Sequence, residues 1–155
     1  FDPAGEEPEG TAAALSPRVA RLSGDMKRFE GESAPVVILD ADGEPLRAGD
    51  HDRRFFEAAW VHKKDGVYYF SYSTGDTHYL VYATGDNPVG PFTYQGRILE
   101  PVAGWTTHHS IVEFKGKWYL FHHDTTLSGG RNSLRCVKVR EIFYDAAGRI
   151  LPLTD

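Results

Sequence analysis

Two stretches decide the fold: "WVHKKDGVYYFSYS" at residues 60–73 and "IVEFKGKWYLFHHD" at residues 111–124. Set side by side, Val61 matches Val112, Gly66 matches Gly116 and Tyr69 matches Tyr119. Each is a run of β-branched and aromatic residues, a tight Gly-containing turn, and a second such run. That is the pattern of a β-hairpin. The match continues downstream, where "QGRIL" at 95–99 aligns with "AGRIL" at 147–151. The chain therefore repeats a unit at a spacing of about 50 residues, and each unit offers four short strands.

Working outward, "HYLVYATG" and "TYQGRILE" supply the third and fourth strands of the first unit, joined by the Pro/Gly turn in "NPVGPF". No stretch shows the apolar period of a helix, so the chain reads as all-β. Repeated four-stranded units of this size are the mark of β-propeller blades. Upstream, "RVARL" and "APVVILD" read as strands, with "SGDMKRFEG" as a turn and short extension between them. Residues 18–39 then form the outer portion of an earlier blade. "FDPAGEEPEGTAAA" is rich in Pro, Gly, Ala and Glu without periodicity. The expected organisation is an arm over residues 1–17 and a partial propeller over 18–155, with units at about 55–100 and 105–152.

A propeller closes on itself with 4–8 blades. Two and a half blades leave apolar sheet faces open, which seldom persists in a soluble monomer. Either other blades come from another chain, or the piece self-associates, or the fold is another all-β arrangement such as a lectin-like sandwich.

Composition narrows the function. The 155 residues carry a net charge of -5, which disfavours a sequence-independent nucleic-acid binder and suits a neutral polar ligand. Apolar runs fall far short of the ~20 residues that span a membrane. No signal peptide is visible, and a chain that opens on Phe1 reads as a processed or excised piece, so the compartment stays open. The single cysteine, Cys136, excludes an intrachain disulfide and a Cys-based zinc site, and reads as a small buried hydrophobe.

Among residues able to carry chemistry, Glu57 stands first. It lies in "RRFFEAAW", flanked by Phe55, Phe56 and Trp60. A carboxyl partly withdrawn from water keeps its proton to higher pH, as a general acid near neutrality requires. The plain alternative is a solvated strand-start glutamate. His108 and His109 are adjacent, as are His122 and His123. Strand neighbours point to opposite faces, so neither pair can place both rings on one ion. One inward histidine with a functional role is expected. Asp124 either orients a histidine or caps a turn. "TTLSGGRNSLR" reads as a hairpin connection, Arg135 as a ligand clamp or a surface charge, and Trp105 as a sugar-stacking or packed ring.

The blocks "FFEAAWVHKKDGVYYFSYSTGD", "YATGDNPVGPFTYQGRILEPVAGWTTHHSIVEFKGKWYLFHHD" and "LRCVKV" resemble glycoside hydrolase family 43, over roughly residues 18–151 and most densely from 55 to 144. Members are five-bladed β-propellers. They include β-xylosidases, α-L-arabinofuranosidases and arabinanases that act on plant polysaccharides with inversion of configuration. The resemblance implies an all-β chain forming the end of blade three plus blades four and five. It implies Glu57 in "EAAW" as general acid, with Ala59 where the family usually has Pro. It implies His108 in "THHS", with His109 as second choice, near the propeller axis and bound through water to a calcium or similar ion. Arg135, with Phe55, Trp60 and Trp105, is expected to contact the substrate, an oligosaccharide or polysaccharide.

The resemblance also exposes a gap. The general-base Asp and the Asp that tunes the acid belong to earlier blades. Asp2, Asp40 and Asp42 lack the right flanks. The chain thus resembles the C-terminal half of a catalytic domain. It is expected to be nearly inactive without an N-terminal half, supplied as a separate chain, or else to form a homo-oligomer. The reading from another class is a non-catalytic carbohydrate-binding or self-associating module.

Overall fold

The computed structural model describes residues 10–105 and 107–154. Apart from one short 3-10 turn at Thr126–Ser128, its elements are all strands. No helix among the described residues is long and apolar enough to cross a membrane.

The four runs after Phe56 form β4 (Glu57–Lys64), β5 (Val67–Ser73), β6 (Leu80–Gly85) and β7 (Phe92–Leu99), an antiparallel meander. They follow β1 (Arg18–Leu22), β2 (Phe29–Pro35) and β3 (Ile38–Leu39). The second repeat gives β8 (His109–Phe114), β9 (Lys117–Asp124) and β10 (Cys136–Ile142). Three sheets result: β1-β2, β3-β7-β6-β5-β4 and β10-β9-β8.

The two hairpins that define the repeat share one turn. Asp65 and Gly66 have φ of 49° and 88°, and Lys115 and Gly116 have φ of 53° and 76°. Positive φ at both central residues is the two-residue turn whose twist matches that of the strands. Gly takes this conformation without strain at the second position in each case.

Two details depart from the strand pattern expected of the sequence. "APVVILD" is not one strand. Pro35 closes β2, and after a break Ile38–Leu39 pair in parallel with Phe92 and Thr93 of β7. They thereby add a fifth strand to the first sheet. "AGRIL" does not become a fourth strand of the second sheet. The Asp145 carboxylate accepts the N–H groups of Ala147 and Arg149 at 2.9 Å each, holding a tight turn. Only the isolated pairings of Ile150 with Tyr144 and of Leu153 with Leu99 follow. Of the expected arm, residues 1–9 lie outside the described residues. Residues 12–14 are tied to the 46–48 segment through Ala14 N–H to Leu46 O and Ala48 N–H to Ala12 O.

The apolar surface is divided by β5, whose side chains alternate between two cores. Tyr69 joins Ile98, Ile111, Leu120, Ile142 and Ile150 in the seam between the five- and three-stranded sheets. Phe70 and Tyr72 join Val36, Ile38, Leu46, Val81 and Phe92 on the other side. A strand covered on both faces needs no polar alternation, which is why "VYYFSYS" reads as a continuous run.

His62 is buried in the seam. Its ring stacks on Tyr69 with centroids 4.8 Å apart, and its Nε2 lies 2.9 Å from the Tyr144 hydroxyl. Burial pushes its pKa down from 6.5 to about 4. The folded pKa is below the unfolded one, so the unfolded chain takes up the proton first. Stability is then complete above about pH 6.5 and falls as pH drops toward 4, by on the order of 3 kcal/mol for this residue. Denaturant titrations at pH 7, 5.5 and 4.5 should show that loss, and His62→Gln should remove this residue's share of it while the share of buried His109 remains.

Candidate active site

The site forms where β4 of the first sheet meets the entry to β8 of the second. Glu57 is the first residue of β4 and pairs with Ser73, but the register slips between Glu57 and Trp60. Ala58, inside that slip, has φ of 61°. A bulge of this kind bends a strand and re-aims the side chains beside it. An L-residue in the left-handed region costs about 1–2 kcal/mol, and less for Gly. Ala58→Gly is therefore expected to leave stability unchanged or to raise it by up to about 1 kcal/mol. Ala58→Val, β-branched, should cost about 1–3 kcal/mol. Equilibrium unfolding of the two variants checks the pair.

The Glu57 carboxylate Oε1 lies 3.5 Å from His108 Nε2, with both side chains partly open to solvent at 33% and 56%. His108 and His109 diverge, as strand alternation requires. His109 turns into the seam, where its Nε2 lies 2.6 Å from the Ser71 hydroxyl. Burial first, then its histidine neighbours, push its pKa down to about 3. His108 stays partly exposed beside Glu57.

A third group comes from β9. His123 Nε2 accepts the His108 backbone N–H at 3.0 Å and lies 3.3 Å from Arg135 Nη1. The rings of His108 and His123 are near-parallel, 19° apart in tilt, with centroids at 6.0 Å. Arg135 is further tied by its Nε to the Asn132 carbonyl at 2.9 Å. Asn132 also accepts the Trp105 backbone N–H at 3.1 Å. The loop after β9 thus holds both Arg135 and Trp105. Trp105 is half exposed, and its ring meets His78 edge-on at 4.4 Å. Gly104, with φ of 111°, makes this turn possible: a Cβ there would meet Thr125 at 2.9 Å.

Of the residues expected at the site, Glu57 and His108 lie side by side, and Arg135 reaches His108 through His123. Phe55 and Trp60, also expected at the substrate, make packing contacts within this chain. The Phe55 ring lies 6.2 Å from Phe70 and 5.7 Å from Tyr72 in the second core. The Trp60 indole N–H is donated across the seam to the Ile111 carbonyl at 3.0 Å. His123 was passed over, because nothing local separates it from His122. His122 is buried in the seam side of β9, and burial lowers its pKa.

Asp124 caps a turn, one of the two roles expected of it. Its Oδ1 accepts the Thr126 N–H at 3.1 Å, the Thr126 hydroxyl and the Cys136 thiol at 2.9 Å. Burial works against its ionised form, but these hydrogen bonds and Lys138 hold the carboxyl well below the ordinary range. Cys136 is therefore a thiol donor as well as a packed side chain. A separate groove of about 740 Å³ runs between Leu99–Ala103 and Lys138–Arg140 and holds none of the cleft residues.

No group of three or more His, Cys, Asp or Glu side chains able to hold a metal is present among the described residues. Calcium takes 6–8 oxygen ligands. Glu57, His108, His123 and Arg135 do not build such a cage.

Residues 14–150 match the sequence profile of glycosyl hydrolases family 43. A xylosidase/arabinosidase of Bacteroides ovatus is 68% identical over 146 residues, which are 94% of this chain and 45% of that protein. A family 43 β-xylosidase/α-arabinofuranosidase from a compost microbial metagenome, solved with xylotriose in a calcium-free form, superposes with a TM-score of 0.92 at 58% identity. The match covers 97% of this chain and 47% of that one. A family 43 enzyme from Xanthomonas citri, solved with xylose, gives a TM-score of 0.94 at 56% identity, covering 99% and 46%. These neighbours are five-bladed β-propellers. The chain spans about half the length of the curated relatives it matches. With its repeat, its paired sheets and this breadth of agreement, the chain belongs to glycosyl hydrolases family 43, as part of a β-propeller.

Proposed function

We propose that the chain is the C-terminal half of the catalytic domain of an inverting glycosidase acting on xylosidic or arabinofuranosidic bonds. It supplies the end of blade three, with blades four and five. The observation that carries this reading is the partly exposed carboxyl of Glu57, set beside a bulge and 3.5 Å from His108. Inversion needs a general acid on one side of the scissile bond and a base about 6.5–9.5 Å away to activate water. Glu57 serves as the acid and protonates the leaving oxygen. Arg135, near its His123 anchor, binds sugar hydroxyls, and Trp105 offers a face to the ring. The base belongs to the absent half. A calcium or similar ion at the axis would be met by His108 through water and would supply fixed positive charge.

The open faces at the two ends of the chain support an absent partner. On β9 and β10, Phe121, Val137 and Val139 share one face, paired as Val139 with Phe121 and Val137 with His123. Val137 is 74% exposed and Val139 52%. At the other end Met26 and Phe29 are each 74% exposed on the β1-β2 hairpin. Ring closure would cover both. The same faces favour a second reading, a self-associating module without catalysis.

The experiment is reconstitution. The chain alone should hydrolyse an aryl β-xyloside and an aryl α-arabinofuranoside barely above background. Adding the N-terminal half of a family 43 domain should restore turnover. Full turnover by the chain alone would refute the split reading. A stable inactive dimer that ignores the added half would establish the module.

A further inference from the structure

His123 joins several hydrogen bonds at the site. Its Nε2 faces two donors, the His108 backbone N–H at 3.0 Å and Arg135 Nη1 at 3.3 Å. Both groups can only donate there. A neutral imidazole has one acceptor nitrogen, so the His123 proton resides on Nδ1. The backbone of His123 is clamped as well. Its N–H donates to the Thr107 hydroxyl at 3.0 Å, and that hydroxyl donates to the His123 carbonyl at 2.7 Å. The Thr107 carbonyl in turn accepts the Ser73 hydroxyl at 2.7 Å. Ser73 is the register partner of Glu57. A continuous set of hydrogen bonds thus runs from the strand beside the carboxyl, through Thr107 and His123, to His108 and Arg135.

We propose that His123 is the positioning residue of this site. The lone pair of its neutral ring ties the Arg135 guanidinium to the backbone of His108, the residue whose side chain lies beside Glu57. It does not itself touch the sugar or the reacting atoms. The proposal rests on the reading of the cleft as a glycosidase site, and it deepens that reading. The polar side chains that face a substrate are long or flexible, and Arg135 in particular has several rotatable bonds. Without an anchor, it would lose conformational freedom each time it engaged a sugar. His123 and Asn132 restrain it beforehand, at two separate nitrogens.

The test uses the reconstituted catalytic domain and two variants. Gln offers a side-chain carbonyl near the position of Nε2, and Leu fills similar space with no acceptor. His123→Leu should lower kcat/KM by about 100-fold, the size of effect that a misplaced catalytic group produces. His123→Gln should recover most of that loss. A merely structural role would make activity follow thermal stability in both variants, with no rescue by Gln. Nitrogen NMR of the ring gives a readout independent of turnover, and should find the proton on Nδ1. Unchanged kcat/KM in His123→Leu, or a proton on Nε2, would overturn the proposal. Should the reconstituted wild type hydrolyse neither glycoside, the glycosidase reading fails, and the ring spectrum alone then decides whether His123 is the acceptor.

Discussion

Glu57→Gln in the reconstituted domain should lower kcat by about 10²–10⁴-fold on a substrate with a poor leaving group. On an aryl glycoside with an acidic phenol the loss should be much smaller. The reason is chemical: a general acid contributes only as much as the departing oxygen needs a proton. A phenolate of low basicity leaves nearly unaided, whereas a sugar alkoxide does not. Gln keeps the size of Glu57 and its place beside His108, so folding should be untouched. Parallel rates on xylobiose and on a nitrophenyl xyloside measure the contrast. Equal losses on both substrates would assign Glu57 a role other than proton donor.

Leu120→Ala should destabilise the chain by about 2–5 kcal/mol. Domains of this kind have a net stability of only about 5–15 kcal/mol, so this single change removes a large share. Leu120 is fully buried in the seam that joins the two sheets, with Ile111, Tyr69 and Ile142 in the same cluster. The walls of that seam are strand-borne and cross-linked, for example by the Trp60 bond to Ile111, so they cannot close over the cavity. Loosening the seam also moves β8 away from β4, and with it His108 from Glu57. Val139→Ala, on the open face of β10, makes the control. In the chain alone it should change stability by no more than about 0.5 kcal/mol. Urea titration of both variants separates the buried face from the open one.

Much of the architecture was legible because its causes are local. The hairpin turns are written in Asp65-Gly66 and Lys115-Gly116, where the positive φ of the second position favours Gly. The meander β4–β7 follows from apolar runs separated by turn residues. What was not legible depends on partners distant in sequence. Ile38–Leu39 join β7 because a free edge awaits them there. "AGRIL" fails to extend because Asp145 diverts the backbone N–H groups of Ala147 and Arg149.

The same division runs through the site. Glu57 could be picked out from its aromatic flanks and its resemblance to a family motif. The family motif ranked His108 ahead of His109, and the seam shows which face each presents. The packing contacts of Phe55 and Trp60 could not be read in advance, because an aromatic beside a carboxylate looks the same in sequence whether it binds or packs.

The sequence by itself determined an all-β chain, a twofold repeat of hairpin units and membership of a glycosidase family. These follow from periodicity, turn chemistry and motif order, which are properties of neighbouring residues. Only the tertiary structure decided that His123 joins His108 and Arg135 beside Glu57, while His109 and His122 go into the seam. Strand alternation gives each adjacent pair two opposite faces, but which face meets the cleft is fixed by how the two sheets pack.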